Sequence, residues 1–562
     1  MFKKGHWSGW LGVLVVLAIS VWIFNTGIAS NEELYYKLDK GLFYLKQVYE
    51  TISHKYVDDV DPEGLSKAAI RGIVDQLDPY TVFFEKKGSE NLKIITRGKY
   101  GGLGMEISKR QGKITVIAPI DNTPAQRAGI RAGDVINKID GEPTKDMSLE
   151  EASSKLRGKV GTKVTIEILR PGLSEPITLT LTREEIVLKD VTYADFVEPG
   201  VAYFRLTSFS DKAATELKEA IARLQEKGEI KQVILDLRGN PGGLLASAVE
   251  VANIFLPRGM LVVTTRGTHE RETRFTTTED PLLPDVPLVV LVNNGSASAS
   301  EIVAGAIQDL DRGVIVGRPT FGKGLVQQVY PLDKLHDVYL KITTAKYYIP
   351  SGRCIQKEDY KKNKEIFTDL QDTTEFNKKI KYYTRNGREV HGGGGIKPDV
   401  EVAKEEINPM LISLWSKGYF FRFTVDYLAK HPEIQSLDQI QLNDGIIDEF
   451  KKYLSENNLT YEIEGESELK DFLKVAKENE YSQDLQKLVD QALQDLEQEK
   501  DREFEQNRAE IAKFLKAEFA EKLGGSTRRI AVMLESDRVL KQALEVLHDP
   551  TRYRQILALT GE

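Results

Sequence analysis

Beyond Val187 the sequence alternates short apolar runs with glycine-rich loops and helix-like stretches, and this alternation limits the fold more than any other feature. Three apolar runs, each followed by a loop of small residues, show the pattern: Val233 to Leu237, Leu288 to Val292 and Val314 to Val316. Strands that alternate with helices are typical of a layered α/β domain. We therefore predict such a domain over residues 185–404.

The rest of the chain divides into regions of different pattern. With roughly 150 residues per domain as a guide, a chain of 562 residues contains several folded units. Apolar residues at helical spacing predict a helical N-terminal region over residues 31–95, and short β-rich runs broken by Gly and Pro predict a small module over residues 96–184. Residues 405–562 are charged, poor in glycine and helical in pattern, so we expect a helical C-terminal extension. The predicted fold class is multidomain α/β.

Composition excludes several classes of function. Lys and Arg total 77 against 85 Asp and Glu, a net charge of −8, which argues against a dedicated nucleic-acid binder. The single cysteine, Cys354, cannot form a disulfide within the chain or build a cysteine-based zinc or iron–sulfur cluster. The seven histidines form no His-x-x-x-His pair. We therefore expect no metal and no cofactor.

The first 30 residues carry compartment information. Lys3 and Lys4 precede an apolar run from Trp10 to Phe24, and small residues follow it. This order is typical of an export signal. A run of this length fits either a cleaved signal peptide or an uncleaved membrane anchor, and with either one the body of the protein is expected outside the cytoplasm.

Candidate nucleophiles follow the second apolar run, where Ser296, Ser298 and Ser300 lie at the start of a predicted helix. Free backbone N–H groups and the helix dipole favour negative charge there, which suits an alkoxide nucleophile. The alternative is that these serines only cap the helix, because Ser followed by Glu301 is an ordinary helix-start signal.

A lysine is the remaining candidate base, since no histidine pattern is present. Lys323 lies between two glycines after the third run, and Gln327 is placed to orient its amine without adding charge. A lysine base must be strongly desolvated, and the alternative is a solvated surface lysine. The amides of Gly243, in the loop after the first run, and of Ala299 would together form an oxyanion hole, although that loop also reads as a simple turn.

The β-rich module has a glycine-rich loop of its own, Gly102-Leu103-Gly104-Met105. Consecutive N–H groups in such a loop can hold a chain-terminal carboxylate while the peptide adds as an extra strand. A glycine-rich hairpin is the alternative interpretation.

Taken together, these motifs resemble the carboxy-terminal processing peptidases, serine endopeptidases that contain a PDZ domain. The matching stretches, in the family's order, include Leu77-Asp78-Pro79-Tyr80, the Gly102–Met105 loop, Leu235 to Gly243, Gly295 to Glu301 and Thr320-Phe321-Gly322-Lys323-Gly324. The resemblance implies a crotonase-like α/β peptidase core over residues 185–404 preceded by a PDZ domain over residues 96–184.

The resemblance also implies roles for individual residues. Ser298 is the expected nucleophile, Lys323 the general base and Gln327 the group that orients it, with Gly243 and Ala299 as oxyanion donors. Gly102, Leu103, Gly104 and Met105 form the expected peptide-binding loop of the PDZ domain. Asp309, at the end of the nucleophile helix, is left out because Gln327 better fits a neutral lysine.

We therefore predict an endopeptidase that recognises protein C-terminal tails and cleaves through an acyl-enzyme, located in a bacterial-type periplasm or on the outer face of the inner membrane. Its expected partners are protein or peptide tails, not nucleic acid, with membrane contact if residues 1–30 are retained and homo-oligomer contacts through the helical regions. A catalytically silent peptide-binding adaptor is the alternative. A crotonase-like acyl transferase fits neither the export signal nor the PDZ module.

Overall fold

The structure is a computed structural model that describes residue 33 and residues 35–357, 377–457 and 461–558. The expected export segment, residues 1–30, lies outside the described residues. No helix in the described part of the chain is both long and apolar enough to cross a bilayer.

The N-terminal region is mainly helical, as its apolar spacing predicts. Its elements are α1 (35–55), α2 (Pro62–Val74), strand β1 (Val82–Phe84) and α3 (Lys86–Arg97). Helix α2 begins directly after Asp61, because Asp61 Oδ1 accepts a hydrogen bond from Glu63 N at 3.0 Å and Pro62 needs no N–H partner at the first helical position. Strand β1 was not predicted from the sequence.

The β-rich module forms a sheet around its own apolar core. Its elements are β2 (Lys99–Gly102), β3 (Met105–Arg110), β4 (Lys113–Pro119), α4 (Pro124–Arg127), β5 (Val135–Ile139), β6 (Glu142–Pro143), α5 (Leu149–Leu156), β7 (Lys163–Leu169), β8 (Ile177–Thr182) and β9 (Glu184–Val187). The strand order is β3-β4-β5-β7-β8, with β6 beside β5 and a separate β2-β9 pair. Strand β3 therefore has one edge without a neighbouring strand in this sheet, next to helix α5.

The α/β region is built on two sheets. Its elements are β10 (Val191–Glu198), β11 (Val201–Leu206), α6 (Ala213–Lys227), β12 (Gln232–Asp236), α7 (Leu245–Asn253), β13 (Leu261–Arg266), β14 (Thr273–Thr276), β15 (Leu288–Val292), α8 (Ala299–Asp309), β16 (Val314–Gly317), β17 (Leu325–Asp333), β18 (Val338–Tyr348), β19 (Asn377–Tyr383), β20 (Glu389–Gly392) and β21 (Val400–Glu401). The central sheet has the order β10-β11-β12-β15-β16-β21 and is parallel from β11 onward. In the second sheet β18 pairs with β17, β13 and β1, so the N-terminal region contributes a strand to the α/β region.

The C-terminal extension is helical, as predicted. Its helices are α9 (Pro409–Ser416), α10 (Tyr419–Lys430), α11 (Asp444–Glu456), α12 (Glu466–Glu478), α13 (Gln483–Gln506), α14 (Arg508–Leu534), α15 (Arg538–His548) and α16 (Pro550–Ile556). Aromatic and aliphatic side chains of α9, α10, α11, α13 and α14 form a separate core. Helix α10 contacts the β-rich module, where the Arg110 guanidinium lies 4.3 Å from the centre of the Phe421 ring.

The last two helices do not belong to that separate core. Helices α6, α7 and α8 cover one face of the central sheet, and α15 and α16 cover the other. Leu540, Val546 and Leu547 of α15 pack against Tyr203 and Ile234 of the sheet. Helices α15 and α16 thus complete the third layer of the α/β region.

Candidate active site

The structure separates the three candidate serines by what their hydroxyls contact. Ser296 Oγ donates to Leu237 O at 2.8 Å and Ser300 Oγ donates to Asn240 O at 2.9 Å, and both residues are fully buried. Ser298 is only half-buried, and its hydroxyl donates to no other group among the described residues. Two of the three serines therefore fix the loops around the start of α8, and Ser298 is the one whose hydroxyl makes no such backbone contact among the described residues.

Ser298 has an unusual backbone conformation. Its φ is 54° and its ψ is −112°, a left-handed region that costs a non-glycine residue roughly 1–3 kcal/mol. Gly242 allows this conformation, since a Cβ atom there would lie 2.8 Å from both Ser298 Cβ and Ala299 N. The turn lifts the serine side chain out of the helix start, where it can meet a substrate.

Lys323 lies in the loop between β16 and β17, and its amine is half-buried. Its Nζ donates to Gln327 Oε1 at 3.1 Å and lies 4.5 Å from the centre of the Tyr80 ring. Burial and the neighbouring Lys341 lower the pKa of Lys323 to about 8, against the opposite effects of Glu301 and Asp78. Roughly a tenth of such amines are neutral at pH 7, so this lysine can accept a proton under ordinary conditions.

Glu301 connects the serine to the lysine. Its fully buried carboxylate accepts hydrogen bonds from Ser298 N at 2.8 Å and Lys323 N at 2.9 Å. It also accepts from Gly322 N at 2.7 Å and Thr320 Oγ1 at 2.6 Å. The burial raises the pKa of Glu301 although these donors oppose the shift. One side chain therefore fixes the position of α8 relative to the lysine loop.

Sequence reasoning gave Glu301 only a helix-capping role and missed two other residues of the site. Tyr347 OH lies within hydrogen-bonding distance of the carbonyl groups of both Ser298 and Lys323. Tyr80 reaches the lysine from the N-terminal region. The capping pattern around Glu301 was a usable signal, whereas the contacts of Tyr80 and Tyr347 are long-range and left no local pattern.

The two expected oxyanion donors lie side by side. Gly243 is held next to Phe209 by a bridge, and Gly242 packs against Ala299 N. Neither Gly243 N nor Ala299 N donates to another group in the described part of the chain. Two unpaired amides beside Ser298 are what an oxyanion hole requires.

The serine and the lysine are not hydrogen-bonded to each other. Among the described residues, the acceptor for Lys323 Nζ is Gln327 rather than Ser298 Oγ. Catalytic hydrogen bonds are often long in the absence of substrate, so this arrangement is compatible with a site that tightens on binding. Asp309 lies at the other end of α8, where it binds Arg353 at 2.8 Å and Ser351 N at 2.9 Å.

The glycine-rich loop of the β-rich module enters β3. Gly104 has a φ of 76°, and a Cβ there would lie 2.4 Å from Thr123 Cβ, so the position favours glycine. Leu103 N and Gly104 N donate to no other group that the structure describes. Met105 packs against the core of the module. The loop thus presents free amides at the start of the unpaired edge of β3.

Four segments of the chain match known protein-family models. Residues 200–366 match peptidase family S41, and residues 115–170 match the PDZ domain. Residues 410–547 match the probable PDZ-protease C-terminal helical domain, and residues 25–88 match the activating protease CtpB N-terminal domain. The fold and the site therefore define a peptidase of family S41 that carries a PDZ domain.

Similar proteins identify the family within this class of peptidases. A carboxy-terminal-processing protease of Bartonella bacilliformis is 39% identical over 346 residues, which is 61% of this chain and 78% of that protein. The carboxy-terminal processing protease CtpA of Bacillus subtilis is 30% identical over 461 residues, or 80% of this chain and 95% of that protein. The solved structure of a photosystem II D1 C-terminal processing protease is 30% identical, covering 64% of this chain and 86% of that one, with a TM-score of 0.35. This chain belongs to the carboxy-terminal processing protease family.

Proposed function

We propose that this protein is a serine endopeptidase in which Ser298 is the nucleophile and Lys323 the general base. The observation that carries the proposal is the desolvated Lys323 amine, which donates to Gln327 Oε1. Glu301 accepts from the backbone N–H groups of both Ser298 and Lys323 and so holds the two loops together. Gln327 contributes an acceptor without a negative charge, so it orients the amine without stabilising its protonated form strongly.

The chemistry follows from these positions. Neutral Lys323 accepts the Ser298 Oγ proton as the oxygen attacks the scissile carbonyl carbon, and the amides of Gly243 and Ala299 bind the resulting oxyanion. The C–N bond then breaks and the lysine returns the proton to the leaving amine. The Lys323 amine then takes a proton from water as the water oxygen attacks the acyl carbon, and it returns that proton to Ser298 Oγ when the ester bond breaks.

We also propose that the PDZ domain receives the substrate's C-terminal tail. The tail would add along the unpaired edge of β3, with its carboxylate on the free amides of Leu103 and Gly104. Met105, the first residue of β3, is partly buried against the apolar core of the module. Amidation of a tail peptide removes the carboxylate charge, so it should weaken binding about tenfold or more, as measured by fluorescence anisotropy. Equal affinity for amidated and free tails would contradict this part of the proposal.

Location outside the cytoplasm and self-association remain proposals as well. The charged start and apolar run within residues 1–30 support export to a periplasm or to the outer face of the inner membrane. Helix α1 exposes several apolar side chains, which supports homo-oligomer contacts through the helical regions: Tyr35, Leu38, Leu42, Phe43 and Val48. A sedimentation measurement should show more than one chain per particle, and Leu42→Glu should lower that number.

The experiment that tests the proposed function is hydrolysis of an unfolded protein with an apolar C-terminal tail between about pH 6 and pH 10. Ser298→Ala and Lys323→Ala should both abolish cleavage, and the wild-type rate should rise as Lys323 loses its proton. Ser296→Ala and Ser300→Ala should lower the rate without abolishing cleavage, because their hydroxyls hold Leu237 O and Asn240 O in place. Ser174→Ala, on the exposed loop between β7 and β8, is the matched control and should cleave like the wild type. Cleavage that survives in Ser298→Ala would overturn the assignment, and tail binding without any wild-type cleavage would favour the adaptor.

A further inference from the structure

Arg238 begins the loop that carries the oxyanion glycine, and its guanidinium lies between two carboxylates. Nε and Nη2 donate to Asp236 at 2.9 and 2.8 Å, and Nη1 and Nη2 donate to Asp537 at 3.1 and 2.7 Å. Asp236 ends β12 and is fully buried, whereas Asp537 comes from the C-terminal extension, 299 residues after Arg238. Paired donors on a guanidinium fix both its position and its orientation.

Asp537 is itself held firmly against the sheet. It caps α15, with its Oδ1 accepting from Val539 N at 2.8 Å and Leu540 N at 3.0 Å. The helix behind it is seated by the apolar contacts of α15 with the central sheet and by a hydrogen bond from Gln232 Nε2 to Leu547 O at 2.8 Å. The carboxylate therefore has a fixed place relative to β12.

The loop after Arg238 depends on such anchors. Gly239 and Gly242 have φ values of 70° and 98°. Glycine adopts many other backbone conformations as readily, so the loop needs contacts from other residues to stay in this one. Asn240 holds the middle of the loop through Leu206 O at 2.9 Å, and Arg238 holds its start. Gly243 lies five residues beyond Arg238. If Arg238 shifts, the loop that begins there shifts with it, and so does the Gly243 amide that is proposed to bind the oxyanion.

We propose that Asp537 is a positioning residue for the oxyanion loop: it holds the Arg238 guanidinium, and through it the Gly243 amide, from the opposite face of the sheet. The proposal rests on the function proposed above and adds to it that the helical extension supports the chemistry directly. Helix α15 and its capping residue Asp537 then support catalysis in addition to packing against the central sheet.

Asp537→Asn tests this role, because Asn caps a helix as well as Asp does and leaves the start of α15 intact. Asp549→Asn is the matched control, since Asp549 caps α16 through Arg552 N at 2.9 Å and makes no contact with Arg238 within the described residues. We expect Asp537→Asn to lower kcat about tenfold, less than the loss of an oxyanion donor itself, with KM unchanged within about twofold. The affinity for a peptide boronate, whose tetrahedral adduct occupies the oxyanion hole, should fall by a similar factor.

A double-mutant cycle shows whether Asp537 acts through Arg238. In an Arg238→Lys background, Asp537→Asn should add little to the loss of kcat. Full additivity of the two changes would overturn the proposal, and so would a kcat for Asp537→Asn equal to that of Asp549→Asn.

Amide hydrogen exchange tests the role of Asp537 independently of the proposed function, because it does not depend on catalytic activity. The hydrogen-bonded amides of Gly239, Asn240 and Gly242 should exchange faster in Asp537→Asn than in Asp549→Asn, whether or not any substrate is cleaved. Unchanged exchange would overturn the positioning role. If Ser298→Ala remains active, the proposed function fails, while exchange still decides whether Asp537 holds the loop.

Discussion

Glu301 determines the relative positions of Ser298 and Lys323, the proposed nucleophile and base, through four hydrogen bonds to one carboxylate. Glu301→Gln replaces an acceptor oxygen by an NH₂ group that faces backbone N–H donors. We expect kcat to fall at least about 100-fold and the free energy of unfolding to fall by roughly 1.5–3 kcal/mol.

Glu250→Gln is the control for this prediction, because Glu250 is exposed on α7. Its kcat and unfolding free energy should both stay close to those of the wild type, as measured by steady-state kinetics and calorimetry. A Glu301→Gln variant with wild-type kcat would contradict the coupling between α8 and the lysine loop.

Lys341 influences the base through its charge. A lysine base works in its neutral form, so kcat/KM rises as the pH passes upward through the pKa of Lys323. Lys341→Met removes a neighbouring cation that lowers this pKa, while Glu301 and Asp78, which raise it, remain. The rising part of the profile should therefore move to higher pH by roughly half a unit, and activity at pH 7 should fall.

The exposed Lys334 gives a matched control for this pH profile. Lys334→Met removes the same charge from the β17–β18 hairpin and should leave the kcat/KM profile between about pH 6 and pH 10 in place. A shift of the Lys341→Met profile to lower pH would show that Lys341 does not act by charge repulsion.

At the scale of elements, two helical glycines should respond in opposite ways to alanine. Gly72 lies on the exposed side of α2 with no atom within 4 Å of an added Cβ, so Gly72→Ala should stabilise the protein by about 0.5–1 kcal/mol. Gly525 interrupts α14 with a φ of 73°, so Gly525→Ala should destabilise it by about 1 kcal/mol. Thermal unfolding measures both changes, and a shift in the same direction for both would contradict the kink in α14.

Much of the element pattern could be predicted from local sequence. Strand β15 coincides with the apolar run Leu288 to Val292, and helix α8 begins at Ala299 as predicted. Strand β1 could not be predicted, because three residues are too few to show a period and its partner strand is more than 250 residues away. The order of the strands in the sheets was equally out of reach.

The candidate site could be predicted in part. Ser298, Lys323 and Gln327 lie in motifs that the sequence displays, but local reasoning left three serines open. What separates them in the structure is that Ser296 and Ser300 bind carbonyl groups about 60 residues earlier in the chain. Such long-range contacts, like that between Tyr80 and Lys323, leave no spacing to detect.

At the scale of the whole molecule, the peptidase region is assembled from distant parts of the chain. The N-terminal region supplies β1 and Tyr80, and the C-terminal extension supplies α15 and α16. The domain boundaries predicted from the sequence stay a prediction, but a protein ended near Glu405 would leave one face of the central sheet exposed. Such a truncation is therefore expected to impair folding, so it is not a clean test of oligomeric state.

Leu540→Ala tests the contribution of α15 to this assembly. Leu540 is almost fully buried among side chains of the central sheet, so its truncation should lower the free energy of unfolding by about 2–4 kcal/mol. Hydrogen exchange of the β15 amides follows the opening of the sheet. The control is Leu488→Ala, on the exposed surface of α13, which should change the free energy of unfolding by less than about 0.5 kcal/mol. Equal exchange in both variants would contradict the role of α15 as a layer of the peptidase region.

The central claim is that Ser298 forms the acyl-enzyme, and mapping the acylated residue tests it most directly. The wild-type protein is mixed with an activated peptide ester, quenched in acid within the first turnover and digested for mass spectrometry. The account predicts one acyl group on Ser298, its absence in Ser298→Ala, and slower acylation in Lys323→Ala. An acyl group on Ser296 or Ser300, or acylation that continues in Ser298→Ala, would contradict it.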